Sequence, residues 1–265
     1  MTFSMRGWRG RIGLVMPDDA VNDDEYWLYL PDGVNLMIAR FTTATRDEPI
    51  APDMVDAYAD LDTLRRAADV IKITRPSAVV FGCTSCSFVR GVGWDIKQAH
   101  AIGEVCGAPA TTVSTAMVAA LKTMGIKSVC VGAPYPDSVT ERFAIYLRDS
   151  GFEVIHWQTL EMTSEWQIGN SPPSVWFDLA KAIDRPDAEA IVLSCTGIRT
   201  AEILTPLEAD LGKPVITAPQ AMIWHPLQLM KVDSTRPDRG RLFAEYGSAF
   251  NTHQGAVRAV LMSAA

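Results

Sequence analysis

Residues 79–85 read VVFGCTS and residues 191–197 read IVLSCTG, so the same pattern occurs twice in the chain. Each is a short apolar run that ends in Cys-Thr, which indicates a buried strand leading into a turn. Other landmarks recur in the same order: IGLVMPDD at 12–19 matches VCVGAPYPD at 129–137, and GAP at 107–109 with Thr112 matches GKP at 212–214 with Thr217. Three ordered matches indicate a pseudo-duplicated chain.

Short apolar runs alternate with longer stretches that carry apolar residues at helical spacing. Strands are predicted at 11–17, 34–41, 77–83, 127–134, 152–158, 189–195 and 214–219, and helices at 53–74, 94–107, 114–125, 138–151 and 173–184. This alternation predicts an α/β fold with mainly parallel sheets flanked by helices.

The duplication predicts two pseudo-symmetric lobes with the active site in the cleft between them. No Pro/Gly/Ser-rich linker separates the two halves, so we expect them to pack closely. We assign residues 1–112 together with 219–265 to the first lobe and residues 113–218 to the second.

Composition narrows the class of partner. The formal net charge of −7, with no dense Lys/Arg stripe, argues against nucleic acid and anionic membranes and favours a small molecule. The chain has no apolar run of membrane-spanning length and no secretory-signal pattern. Five cysteines then predict free thiols in a cytoplasmic protein. The sequence leaves open whether the protein forms a homo-oligomer.

Cys83 and Cys195 are the candidate catalytic residues. The carboxyl ends of parallel strands are where α/β proteins bind ligands, and pseudo-symmetry would place these two thiols on opposite faces of one substrate. A thiol can donate a proton, and its thiolate can accept one or add to a double bond. Backbone N–H groups in the following turns would stabilise an enediolate formed next to a carboxylate. This chemistry requires no cofactor and no metal.

The segments GCTSCSFVRG, LSCTGIRT and APYPDSVTERF resemble the Asp/Glu racemase superfamily, in particular its branch of maleate cis-trans isomerases and arylmalonate decarboxylases. The resemblance implies two lobes, no cofactor and a small carboxylate substrate. Isomerases and racemases carry both cysteines, whereas the decarboxylases have Gly where Cys83 stands. The resemblance therefore favours an isomerase or racemase, with a decarboxylase as the alternative.

The resemblance also implies substrate-binding residues. Thr84, Ser85 and Tyr135 match residues that hydrogen-bond a substrate carboxylate, and Thr196 and Gly197 form the second half of that site. The strand-end residues Pro17 and Asp18, together with Glu165, complete the candidate set.

Two positions depart from the isomerase pattern. Isomerases usually have an Asn soon after the first strand, where this chain offers only Asn22, and an Asn where Glu165 aligns. A carboxylate at Glu165 would repel a second substrate carboxylate unless it is protonated or turned away. With Asp18 and Asp19 close in sequence to the first strand end, a substrate bearing an amino, amide or hydroxyl group becomes an alternative to maleate.

The remaining cysteines have simpler interpretations. Cys106 and Cys130 lie in helix and strand patterns and are predicted to be core residues. Cys86 forms a CxxC pair with Cys83, which leaves open a non-enzymatic protein that binds carboxylates or senses redox state. Trp224 and His225 are predicted to begin a late helix and to serve in packing.

Overall fold

The structure is a computed structural model, and it describes residues 6–251. Within this range eight β-strands form two separate four-stranded sheets: β1 (Gly10–Pro17), β2 (Val34–Phe41), β3 (Ala78–Phe81), β4 (Ala110–Thr112), β5 (Ser128–Ala133), β6 (Glu153–Thr159), β7 (Ala190–Leu193) and β8 (Val215–Thr217).

The helices follow the strands in regular alternation. They are α1 (Asp23–Trp27), α2 (Pro52–Ala57), α3 (Leu61–Lys72), α4 (Thr84–Phe88), α5 (Trp94–Cys106), α6 (Val113–Thr123), α7 (Asp137–Asp149), α8 (Glu165–Gly169), α9 (Pro173–Ile183), α10 (Leu204–Leu211), α11 (Ala218–Leu229) and α12 (Gly240–Tyr246), with a 3₁₀ turn at Ala249–Asn251. None of the helices between residues 6 and 251 combines the length and apolar character that a bilayer crossing requires.

The two sheets have the same topology. The strand order is β2-β1-β3-β4 in the first and β6-β5-β7-β8 in the second, and every pairing is parallel. The central strands β3 and β7 are buried along their whole length, as expected where helices cover both faces of a sheet. The predicted fold of two pseudo-symmetric α/β lobes is confirmed.

The lobes are joined through two equivalent helices. Thr112 and Thr217 are the N-caps of α6 and α11, which begin directly after the last strand of each sheet. These helices pack against each other, and α11 also contacts β3 and β4 of the first sheet. The lobe boundaries at 112 and 218 remain our proposal, and residues 1–5 and 252–265 of the first lobe lie outside the described range.

The short helices α1, α4, α8, α10 and α12 were not predicted, and the structure differs from the predicted elements in three further places. The edge strand β4 was not predicted, because its three residues are too few to show an alternating pattern. The predicted helix at 53–74 is divided, because the carboxylate of Asp60 accepts a hydrogen bond from the Thr63 N–H at 2.8 Å and caps a new helix. Trp224 and His225 lie inside α11 rather than at its start, and both are fully buried.

Candidate active site

A pocket lies where the carboxyl ends of the two sheets meet. It contains nine of the ten candidate residues named from the sequence, all except Asp18. Its complete lining is Pro17, Asp19, Ala20, Met54, Val55, Tyr58, Gly82, Cys83, Thr84, Ser85, Cys86, Tyr135, Glu165, Cys195, Thr196 and Gly197. Both strand-end cysteines therefore line one site, as the pseudo-symmetry predicted, and their catalytic roles remain proposals.

Cys83 sits at the start of a helix. It is the N-cap of α4, and its Sγ accepts a hydrogen bond from the backbone N–H of Cys86 at 3.4 Å. The Ser85 hydroxyl lies 3.6 Å from the same sulfur. Thiolates are favoured by such N–H donors at helix N-termini, so this environment supports negative charge on Cys83.

Cys195 has a different local structure. Its φ of 98° lies in a region that residues other than glycine rarely adopt, and the next helix, α10, begins only at Leu204. Strained backbone of this kind is concentrated at functional sites. The Gly197 N–H donates to Cys195 Sγ at 3.3 Å. The N–H donor on this side of the cleft therefore comes from the turn itself and not from a helix N-terminus.

Burial sets the protonation state of Cys195. Its side chain is almost completely buried, and this desolvation, assisted by the charge of Glu165, raises the pKa of Cys195 well above the usual thiol value. Hydrogen bonds from Tyr135 and the Gly197 N–H oppose this shift but are smaller. The two thiols thus differ in their surroundings: burial holds Cys195 as a neutral thiol, while Cys83 caps a helix and accepts a hydrogen bond from a backbone N–H.

The residues after each cysteine supply polar groups. Thr84 is 1% exposed, and its Oγ1 has no hydrogen-bond partner among residues 6–251. A buried hydroxyl of this kind is costly unless a ligand binds it. Thr196 instead points its hydroxyl across the cleft to the Gly82 carbonyl at 3.0 Å, so it joins the two cysteine loops.

Helix α1 of the first lobe holds the second cysteine loop in place. Asn22 Nδ2 donates to the Thr196 carbonyl at 3.0 Å, and the Tyr26 hydroxyl lies 3.2 Å from the same oxygen. The Glu25 carboxylate accepts from the Thr200 N–H at 2.6 Å and the Ala201 N–H at 2.7 Å. The sequence comparison left Asn22 as the only available substrate-binding Asn, but the structure gives it a role in fixing the cleft.

The acidic residues divide into two groups. Asp18 pairs with Arg46 at 2.9 Å in a groove next to the pocket, so its neighbour Asp19 occupies the position in the pocket that was expected for Asp18. Desolvation, assisted by the Asp18 charge, raises the pKa of Asp19 to about 6. Desolvation together with the Asp19 charge raises the pKa of Glu165 to about 8. Glu165 is therefore largely protonated at neutral pH, which removes most of the repulsion expected from the sequence.

One wall of the pocket could not be predicted from the sequence. Met54 and Val55 of α2 and the following Tyr58 close the side next to Cys83 and Cys86. Helix α2 is tied to the end of α4 by Arg90, whose guanidinium binds the Asp56 carboxylate at 2.5 and 2.8 Å. The apolar spacing of this segment predicts only a helix, and nothing in it indicates which helix would cover the site.

Of the two cysteines predicted to be core residues, Cys130 is buried as expected and Cys106 is buried only in part. All five are free thiols, Cys130 is fully buried, and Cys106 is half-buried with its thiol near the Ala68 carbonyl. Burial is also the main reason that the pKa of Cys86 is raised well above the thiol value. Within residues 6–251 no group of three or more His, Cys, Asp or Glu side chains is arranged to hold a metal ion.

Together, the fold and the site define a two-lobed α/β protein with one cysteine from each lobe in the interlobe cleft. The model of the arylmalonate decarboxylase family matches residues 49–243. The chain therefore belongs to this family, whose characterised members are enzymes, and the resemblance drawn from the cysteine motifs is confirmed.

The individual relatives have two different activities. The arylmalonate decarboxylase of Bordetella bronchiseptica is 32% identical over 165 residues, which are 61% of this chain and 69% of the relative. The maleate isomerase of Pseudomonas putida is 27% identical over 197 residues, which are 72% and 76% of the two chains.

Solved structures show the same fold. A liganded arylmalonate decarboxylase, in which a glycine is replaced by cysteine and a cysteine by serine, has a TM-score of 0.79 and 26% identity, covering 89% of this chain and 99% of that one. The Nocardia farcinica maleate cis-trans isomerase has a TM-score of 0.80 and 22% identity, covering 88% and 98%, in a mutant with a covalently bound succinylcysteine intermediate.

Proposed function

We propose that this protein is a cofactor-independent cis-trans isomerase of a small unsaturated carboxylate. The observation that carries the proposal is the pair of chemically different thiols, Cys83 and Cys195, lining one pocket from the two lobes. A nucleophilic thiolate and a neutral thiol acid are the two groups that addition to a carbon–carbon double bond requires.

Substrate binding is assigned to the polar groups beside Cys83. The unpartnered Thr84 hydroxyl and the Ser85 hydroxyl, both in the first turn of α4, are placed to donate to a substrate carboxylate. Tyr135 is fully buried, and burial raises the pKa of its hydroxyl well above the usual value, so it remains a neutral donor.

The reaction begins when the Cys83 thiolate adds to one alkene carbon. A carbon–sulfur bond forms, and the π electrons move to the other alkene carbon and its carboxylate, giving an enediolate that the hydroxyl and N–H donors stabilise. The Cys195 thiol protonates that carbon. The former double bond is now single and rotates.

Elimination completes the cycle. The Cys195 thiolate removes the proton it had donated, the double bond re-forms in the trans geometry, and the carbon–sulfur bond breaks to release the Cys83 thiolate. No net proton or electron is consumed, so no co-reactant is needed. The covalent succinylcysteine in the Nocardia farcinica enzyme supports this scheme, because addition of a thiol to maleate yields that adduct.

A decarboxylase is the second candidate, since the family model and the relative of 32% identity carry that name. In that reaction Cys195 alone would protonate the enediolate left after loss of CO2. Cys83 argues against it, because the decarboxylases of this branch are expected to have Gly at that position. The same two thiols would also suffice for a racemase that exchanges an α-proton between faces.

One NMR experiment in D2O separates the three reactions. Maleate, amino acids, hydantoins and substituted malonates are each incubated with the enzyme, and shifted vinyl signals, deuterium at an α-carbon or loss of CO2 identify the chemistry. We expect shifted vinyl signals that disappear in Cys83→Ala and in Cys195→Ala, but not in Cys106→Ala outside the pocket. Release of CO2 from a malonate by the wild-type enzyme, with no shifted vinyl signal from maleate, would refute the isomerase proposal.

A further inference from the structure

The charged groups of the pocket limit what its substrate can be. Among residues 6–251, the lining of the pocket contains two carboxyl groups, those of Asp19 and Glu165. The same lining contains no Lys, Arg or His. A substrate with two carboxylates would bring two negative charges into this site without a cationic partner. Buried charge without compensation is strongly unfavourable.

Arg40 and Arg46, whose charges act on Asp19, are already paired. Arg46 binds Asp18 at 2.9 Å, and Arg40 binds Asp23 at 2.5 Å. A single carboxylate can still be held by the Thr84 and Ser85 hydroxyls beside Cys83. The groups on the Cys83 side thus suit one carboxylate, and the acidic end of the pocket suits a group without negative charge.

Asp19 and Glu165 lie where the pocket opens into the adjoining groove, because both residues line the two spaces. Among residues 6–251 no hydrogen bond is made to the Glu165 carboxyl, so its oxygens are available to a ligand. With pKa values raised by burial to about 6 for Asp19 and about 8 for Glu165, neutral pH leaves one ionised acceptor beside one protonated donor. A primary carboxamide offers the complement, an N–H₂ donor and a carbonyl acceptor.

We propose that the substrate is a cis-unsaturated half-amide, with its carboxylate at Thr84 and Ser85 and its carboxamide between Asp19 and Glu165. This inference rests on the proposed isomerase function and specifies its substrate class. The amide N–H₂ donates to the Asp19 carboxylate, and the protonated Glu165 donates to the amide oxygen.

The direct test compares kcat/KM for maleamate, the monoamide of maleic acid, with kcat/KM for maleate at pH 7. Maleate would place its second carboxylate beside the Asp19 carboxylate without a cationic partner, so the site should disfavour this dianion. We expect a preference for maleamate of at least about tenfold. Where at least one of the two compounds is turned over, equal rates or a preference for maleate overturn the inference.

Variants locate the preference at the acidic pair. Asp19→Asn removes the negative charge and adds an N–H₂ group that can donate to a carboxylate. It should therefore reduce the maleamate:maleate ratio by about tenfold or more, mainly by improving maleate. Glu165→Gln keeps a neutral donor and should retain the preference. Glu141→Gln, on the exposed face of α7, is the matched control and should leave both rates unchanged. A ratio that Asp19→Asn does not alter contradicts the assignment.

Binding of saturated analogues separates this inference from the isomerase proposal. Succinamate and succinate have no double bond to isomerise, so calorimetric titration reports charge preference alone. Tighter binding of succinamate supports the substrate class even when neither unsaturated compound is turned over, a result that would refute the isomerase. Tighter binding of succinate overturns the substrate class whatever the turnover.

Discussion

Glu165 provides a pH-dependent test of the proposed site. Desolvation, with a smaller contribution from the Asp19 charge, raises the pKa of Glu165 to about 8, so the group is protonated below that value and ionised above it. The ionised form would place a negative charge beside Cys195 and the enediolate. Activity that depends on the protonated acid should therefore fall as the pH rises through about 8.

The size of the effect follows from the titration. A group with a pKa of about 8 is about 90% protonated at pH 7 and about 10% protonated at pH 9. Glu165→Gln presents a neutral amide at every pH. The ratio of wild-type to Glu165→Gln kcat/KM should then decrease about tenfold between pH 7 and pH 9.

The assay is a set of initial rates on the preferred substrate at half-unit pH steps. Taking the ratio of the two enzymes cancels pH effects that do not involve Glu165. Cys195 and Tyr135, which also face Glu165, do not titrate in this window because burial raises the pKa of each well above its usual value. A ratio that stays constant from pH 7 to pH 9 would show that the protonated Glu165 has no part in catalysis.

Three further changes test the architecture and the nucleophile. Cys83→Ser should lower kcat by at least about a thousandfold, since an alcohol is a far weaker nucleophile than a thiolate, whereas Cys106→Ser should retain activity in the same rate assay. Gly82→Ala should lower the free energy of unfolding by about 1–3 kcal/mol in urea titrations, because its Cβ would lie 2.5 Å from Leu14 Cδ1; an unchanged midpoint would contradict the packing. Asn22→Ala should cost about 1–3 kcal/mol by the same measurement and reduce kcat/KM, since it removes the 3.0 Å hydrogen bond that holds the second cysteine loop; full activity would rule out that role.

Much of the fold could be predicted because strand and helix patterns are local. Buried strands such as AVVF and AIVL are apolar at every position, and helices between them show their own spacing. The repeated order of landmarks then indicated two similar lobes. Strand β4 was missed because three residues carry too little pattern, and its position depends on pairing with β3.

The candidate site could be predicted in part for the same reason. Residues that follow parallel strands collect at one edge of a sheet, so the positions of Cys83, Cys195 and Tyr135 followed from topology. Met54 and Tyr58 could not be identified, because they reach the pocket through the packing of α2 against α4. Asp19 enters the pocket whereas its neighbour Asp18 pairs with Arg46 in the groove, and this division between adjacent residues depends on tertiary contacts.

The amino-acid order alone thus specified two parallel α/β lobes and a thiol at the end of a central strand in each. Only the tertiary structure distinguished the two thiols, with Cys83 capping a helix and Cys195 buried in a left-handed turn beside Glu165. The physical reason is that secondary structure depends on residues near in sequence. Protonation depends on desolvation and on charges that the packing of the two lobes brings together.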